Sequence, residues 1–312
     1  MNLRTPTFAD VEDAASRIAP YVHRTPIFTS ETLDRRVGAQ LFCKAENLQK
    51  VGAFKARGAT NAVLSLDPAE RSLGVATHSS GNHGQAVAYA AAIVGVPATV
   101  VMPDHAPAVK VEAVKGYGAS VVMCPHAERE ATLDAVVAAS GAAVVHPFDD
   151  ANVIAGQGTA ALELLEDEPD LDLILTPIGG GGLLSGSTLS ASTRSIPTIG
   201  AEPELVDDAY RSLRDGHRYG PTGAISVGDG LLTGIGALPF AILSHAGTDI
   251  ITVSEESILE ALQYVVSRTK FVIEPSSATV FAALFDHPER FAGKRIGVIV
   301  TGGNVELSRL SG

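Results

Sequence analysis

Short β-branched runs separated by alanine-rich stretches recur along most of this chain, and that alternation restricts its fold more than any other feature. Strands joined in turn by helices run parallel and need cover on both faces, so the fold class is α/β: a mostly parallel sheet wrapped by helices. Between about residues 70 and 150 the alternation is nearly regular. Gly74 to Thr77, Ala98 to Met102, Ser120 to Met123 and Ala142 to His146 read as strands, with Asn82 to Val94, Pro107 to Tyr117 and Glu128 to Ser140 as helices between them. A longer, less regular series follows, with strands at Leu173 to Thr176, Thr198 to Glu202, Ile250 to Val253 and Ile296 to Val300. Leu41 to Ala45 is a further strand that the compact unit does not need. The expected organisation is therefore a large domain of residues 1–66 and 152–312, with a small open-sheet domain of residues 67–151 inserted in it. Asp207 to Gly228, rich in Gly, Asp, Arg and Tyr, reads as an irregular surface segment.

Bulk properties remove several function classes. The 312 residues are 46% hydrophobic and 19% charged, enough for a large core and too apolar for disorder. A formal charge of −12, with no basic stripe, argues against nucleic acid or an anionic membrane as partner. Met1 to Asp10 hold no apolar run suited to a signal peptide, and no segment approaches the ~18 consecutive apolar residues of a membrane span. A soluble cytoplasmic protein is expected. Cys43 and Cys124 each lie in an apolar strand-like run and read as buried free thiols.

Four places carry chemistry. Gly179 to Gly182 lie between the strand Leu173-Ile174-Leu175 and the helix-like Leu183 to Thr193. A glycine loop there leaves backbone N–H groups free and aims them, with the helix dipole, at an anion. No register places glycine at the first, third and sixth positions, and no Lys-Ser/Thr follows, so a single phosphate fits better than a nucleotide. A tight turn between closely packed elements is the plainer alternative. Thr77 to Gln85 likewise joins strand to helix, and its small donors Ser79, Ser80 and Asn82 could hold a carboxylate or simply cap their own helix. Lys55 lies in Gly52-Ala53-Phe54-Lys55-Ala56, where small apolar neighbours can desolvate an amine and lower its pKa. Taken singly, it is an ordinary lysine. Finally, the last strand runs into Thr301-Gly302-Gly303-Asn304 at an end where α/β sheets collect ligands.

The ordered set Ala53-Phe54-Lys55, Ser79-Ser80-Gly81-Asn82-His83-Gly84, Gly179 to Gly182 and Thr301-Gly302-Gly303-Asn304 resembles the serine racemase and threonine (serine) dehydratase family of fold-type II pyridoxal-phosphate enzymes. The resemblance covers practically the whole chain, and the family's two-lobed, tryptophan synthase β-like α/β fold agrees with the organisation above. It implies that Lys55 carries the cofactor and acts as base at the substrate α-carbon. Phe54 would pack beside the ring, Asn82 would bond its 3-oxygen, and Thr301 would meet its pyridine nitrogen. Gly179, Gly180, Gly181, Gly182 and Leu183 would hold the phosphate, while Ser79, Ser80 and His83 surround the substrate carboxylate. The segment Ala201 to Asp208 resembles the family's divalent-cation site, with Glu202, the Val206 carbonyl and Asp208 as oxygen ligands suited to Mg²⁺ or Ca²⁺. A helix N-terminus bearing favourable acids is the alternative there.

A neutral hydroxyl at Thr301 does not favour a protonated pyridine, so the ring is a weaker electron sink. Elimination of a β-hydroxyl or reprotonation is then preferred to transamination. The resemblance thus implies an ammonia-lyase converting L-threonine or L-serine to a 2-oxo acid and ammonia. Ser80 stands where racemases carry the second base, which keeps serine racemisation open. Arg129 approximately matches a substrate-lobe arginine and could bind a second carboxylate, as L-threo-3-hydroxyaspartate would require, or pair on the helix surface. Leu231-Leu232-Thr233-Gly234 is expected near the side-chain pocket, where its apolar character favours a small or alkyl substrate. A non-catalytic phosphate-binding protein is the reading from a different class. A homodimer is usual for the family, and no C-terminal regulatory module is expected after residue 312.

Overall fold

A computed structural model describes residues 4–79, 81–106 and 108–306. Within them, β1 (Ile27–Phe28), β2 (Gln40–Ala45), β7 (Leu173–Pro177), β8 (Thr198–Pro203), β9 (Asp249–Val253) and β10 (Arg295–Val300) form a six-stranded sheet. Strands β3 (Val75–His78), β4 (Ala98–Pro103), β5 (Ser120–Cys124) and β6 (Ala143–Val144) form a separate four-stranded one. The larger sheet runs β1-β2-β10-β7-β8-β9, parallel except for the antiparallel edge strand β1. The smaller runs β5-β4-β3-β6 and is wholly parallel.

Parallel strands need helices on both faces, and the burial pattern reflects it: every residue of β7 is buried, as are the last five of β10. On one face of the large sheet, helices Glu255–Thr269 and Pro275–Asp286 pack Leu262 and Phe281 against Leu175, Ile251 and Val298. On the other, helices Ala151–Asp167 and Gly182–Ser192 bring Leu164 and Leu183 onto Ile174 and Ile299. Each such fully buried side chain contributes about 1.5–3 kcal/mol. The small sheet rests on helix Asn82–Val94 through Val87 and Val100, with helix Arg129–Ser140 on its far face through Leu133 and Val101. Helix Lys55–Ser65 packs Ala59 and Val63 into the same cluster as Val87, although it precedes the small sheet in the chain.

Three elements differ from the sequence reading. The strand read at Ala142 to His146 is only Ala143–Val144, because the His146 ring Nδ1 accepts from the Phe148 and Asp149 N–H groups and turns the chain away from the ladder. Strand β1 is too short to show a period. Within Asp207 to Gly228, Asp208–Asp215 is a helix, because the Glu202 carboxylate accepts from the Ala209 and Tyr210 N–H groups and caps it. Cys43 and Cys124 are free and buried. No helix among the described residues is long and apolar enough to cross a membrane.

Candidate active site

Lys55 opens its helix on the side facing the segment that leaves β6. Its Nζ donates to the Pro147 carbonyl at 2.9 Å and lies 5.1 Å from the centre of the Phe54 ring. Burial lowers its pKa to about 8, partly countered by the negative charge of Glu274. An amine so placed spends far more time neutral near pH 7 than a surface lysine, the condition for nucleophilic attack on a carbonyl and for accepting a proton from carbon.

The Gly179 to Gly182 loop meets the same segment from the other side. A Cβ on Gly180 would enter the Phe148 ring, and Gly181 has φ +87, a conformation open to glycine. The Gly236 N–H donates to the Gly180 carbonyl at 3.1 Å and fixes the loop at the start of helix Gly182–Ser192, with Leu183 buried in the first turn. The Ser185 hydroxyl in that first turn is buried and has no partner among the described residues. A cradle of N–H groups at a helix N-terminus, with an unpaired hydroxyl behind it, fits a phosphate.

Thr301 follows β10, and its backbone is bonded to the lysine loop. The Phe54 N–H donates to the Thr301 carbonyl at 2.9 Å, and the Gly303 N–H to the Gly52 carbonyl at 3.0 Å. Its hydroxyl shares a 2.8 Å bond with Ser277. Two motifs some 250 residues apart in the chain are thus one structural unit.

Asn82 opens the helix below β3. Its Oδ1 accepts from Asn304 Nδ2 at 2.8 Å, and its Nδ2 donates to the Glu274 carboxylate at 3.0 and 3.1 Å. Burial pushes Glu274 up to about 7. Ser79 Oγ accepts from the Gly81 N–H at 3.2 Å. Ser80 lies outside the described residues. His83 is buried, with Nε2 3.0 Å from the Val145 carbonyl and Nδ1 unpartnered among the described residues. Desolvation holds its pKa well below the usual imidazole value, so the ring is neutral. Arg129 is half-buried at the start of its helix and bonded to the His126 carbonyl and ring; burial, and then the charge of Arg129, lower the pKa of His78, the residue before Ser79. It has no carboxylate partner among the described residues.

Glu202 and Asp208 connect to the glycine loop through the chain at Ile235 and Gly236: Asp208 accepts from the Ile235 N–H, and the next residue holds Gly180. Glu202 is fully buried, and desolvation and its acidic neighbours push it up to about 9; Asp208, whose Oδ2 accepts from the Ile235 N–H, rises to about 6. Val206, also buried, lies on the turn between them. No three His, Cys, Asp or Glu side chains among the described residues converge as a metal cluster. The two carboxylates fit a hard cation only with carbonyl and water oxygens completing the shell.

Sequence reasoning missed Pro147, Phe148 and Glu274. They belong to no glycine or lysine motif, and only the fold brings them to the site. The glycine at 302 carried a readable trace of Glu274, since a Cβ there would lie 2.8 Å from the carboxylate.

A half-buried low-pKa lysine, an anion cradle and a hydroxyl just past β10, set between two mostly parallel sheets, define a pyridoxal-phosphate enzyme of fold type II. The chain belongs to the pyridoxal-phosphate dependent enzyme family, whose model matches residues 18–302. It is similar to the β-hydroxyaspartate dehydratase of Paracoccus denitrificans, 47% identical over 98% of each chain. It is also similar to the L-threo-3-hydroxyaspartate ammonia-lyase of Saccharomyces cerevisiae, 44% identical over 97% of this chain and 95% of that one. The crystal structure of the Dictyostelium discoideum serine racemase superposes with a TM-score of 0.93 at 45% identity, over 97% of this chain and all of the other.

Proposed function

We propose that this protein is an ammonia-lyase for a small β-hydroxy amino acid, with 3-hydroxyaspartate ahead of L-serine and L-threonine. The observation that carries the reaction class is Lys55, partly desolvated against Pro147 and Phe54 beside an anion cradle. Arg129, whose charge is felt at His78 and which has no carboxylate partner among the described residues, supports a dicarboxylic substrate. So do the relatives, two of which act on hydroxyaspartate by name. This reverses the order of substrates expected from the apolar Leu231-Leu232 segment.

When bound, pyridoxal phosphate supplies a ring that withdraws the electron pair left at the α-carbon. Gly179 to Leu183 would hold its phosphate by backbone N–H donation, Phe54 would flank the ring and Asn82 would donate to its 3-oxygen. Lys55 takes the α-proton. Ser79, with Ser80, would orient the α-carboxylate at the start of helix Asn82–Val94, and Arg129 the second carboxylate. His83, being neutral, adds no charge to the carboxylate it would face. Thr301 would offer the ring nitrogen a hydroxyl rather than a carboxylate, which would favour loss of the β-hydroxyl over transamination, the proton taken from the α-carbon balancing its departure as water. The resulting enamine tautomerises and is hydrolysed to a 2-oxo acid and ammonia. Residues 67–151 would close over the substrate on the large domain of 1–66 and 152–312. Glu202, Asp208 and the Val206 carbonyl would take Mg²⁺ or Ca²⁺. The working form would be a cytoplasmic homodimer.

Incubation with 3-hydroxyaspartate, L-serine and L-threonine, with 2-oxo acid and D-amino acid measured together, tests the reading. The expected result is fastest 2-oxo acid release from 3-hydroxyaspartate. D-Serine formed faster than any 2-oxo acid would assign the chain to racemisation instead.

A further inference from the structure

Asn82 is held in one orientation by a relay of side chains. The Val51 carbonyl accepts from Asn304 Nδ2 at 2.8 Å, which fixes which end of the Asn304 amide is the donor. The same Nδ2 donates to Asn82 Oδ1, and this forces Asn82 Nδ2 toward Glu274. Glu274 itself is pinned: its N–H donates to the Gly302 carbonyl at 2.9 Å, and its carboxylate lies against Gly302 where any side chain would collide. An amide nitrogen carries two N–H groups, and one of them shared between the two oxygens of the Glu274 carboxylate, at 3.0 and 3.1 Å, leaves the other for a further acceptor.

We propose that Glu274 is a positioning residue for the cofactor, holding the Asn82 amide with its second N–H turned to the ring's 3-oxygen and setting a negative charge beside Lys55. This rests on the assignment of Lys55 and Asn82 to the cofactor made above. The alternative of a purely structural cap is weakened because the Glu274 carboxylate, at the start of helix Pro275–Asp286, accepts from a residue of the other sheet's helix rather than from its own turn. The charges facing it are Asp229, which raises its pKa with burial, and Lys110, which lowers it; Lys55 feels its charge in turn. Glu274 is therefore increasingly anionic as pH rises through about 7.

The test uses the holoenzyme and reads the visible absorbance of bound pyridoxal phosphate against pH, along with cofactor affinity. In Glu274→Gln the carboxamide oxygen still accepts from Asn82 while the charge is gone. Affinity should stay within about threefold, and the midpoint at which the visible band titrates should fall, since removing an anion disfavours the protonated form. The difference should be largest above neutral pH. In Glu274→Ala the support for Asn82 is lost as well, and affinity should fall about tenfold or more. A Gln variant with the wild-type titration midpoint, or an Ala variant with wild-type affinity and spectrum, overturns the proposal. Melting of the Gln variant near the wild-type temperature separates these effects from misfolding. A wild-type protein with no cofactor band at all would instead overturn the assignment on which the proposal rests.

Discussion

Lys55 shows how little a residue says until its surroundings are known. In sequence it is one lysine beside a phenylalanine; in the fold its amine meets a main-chain carbonyl, an aromatic face and the field of a buried carboxylate, and its pKa falls to about 8. Capture of the cofactor's aldehyde needs the neutral amine. Reconstitution of apoprotein should therefore quicken as pH rises and level off above about 8, followed by the growth of visible absorbance. A rate still climbing toward the ordinary lysine range would show that the amine is not desolvated. Gly180 supplies a second test. Gly180→Ala drives a methyl group into the Phe148 ring and should weaken cofactor binding about tenfold or more, with Phe148→Leu in the same chain restoring part of the loss. Equal losses in the single and double variants would refute that contact.

At the level of elements, strands and helices were largely legible because a buried parallel sheet demands unbroken apolar runs, as in Leu173-Ile174-Leu175 and Ile296 to Val300. The glycine loop and the Thr301 turn were legible for a related reason: glycine is demanded where backbone must approach closely. Glu274, Pro147 and Phe148 were not legible, since nothing local distinguishes them from other residues of their kind. Nor was the buried ionic knot behind the lysine helix. Arg57 there bonds Glu46 and Glu163 through four contacts of 2.7–2.8 Å, and Lys44 joins Glu163 at 2.7 Å. These groups tie β2, helix Lys55–Ser65 and helix Ala151–Asp167 together with almost no access to water. Arg57→Met strips buried Glu46 of its cation and leaves Glu163 with Lys44 alone, and should cost about 3–5 kcal/mol, read as a lowered melting temperature. A change under about 1 kcal/mol would mean the knot is not a structural support.

Across the whole molecule, contacts between the units of the two sheets set the geometry of the site. Asn82 reaches from the small sheet's helix to Glu274, and Lys110 bridges to Asp229 at 2.9 Å. The buried Glu202 and Asp208 pair lies at the end of β8, where two raised pKa values oppose folding as pH rises. A carboxyl whose folded pKa lies above its unfolded one contributes stability below the unfolded value and loses it on the way up to the folded one, here about 9 for Glu202. The melting temperature without divalent cation should therefore fall as pH rises from mildly acid to alkaline. Added Mg²⁺ should reverse most of the fall, and Glu202→Gln should abolish that response; an equal Mg²⁺ effect in the variant would move the cation elsewhere. The claim on which the rest depends is that Lys55 carries the cofactor. Borohydride reduction of the holoenzyme, followed by peptide mass spectrometry, fixes the cofactor on whichever lysine holds it. The phosphopyridoxyl group should appear on the peptide containing Lys55, and its appearance on any other lysine, or on none, would contradict the account.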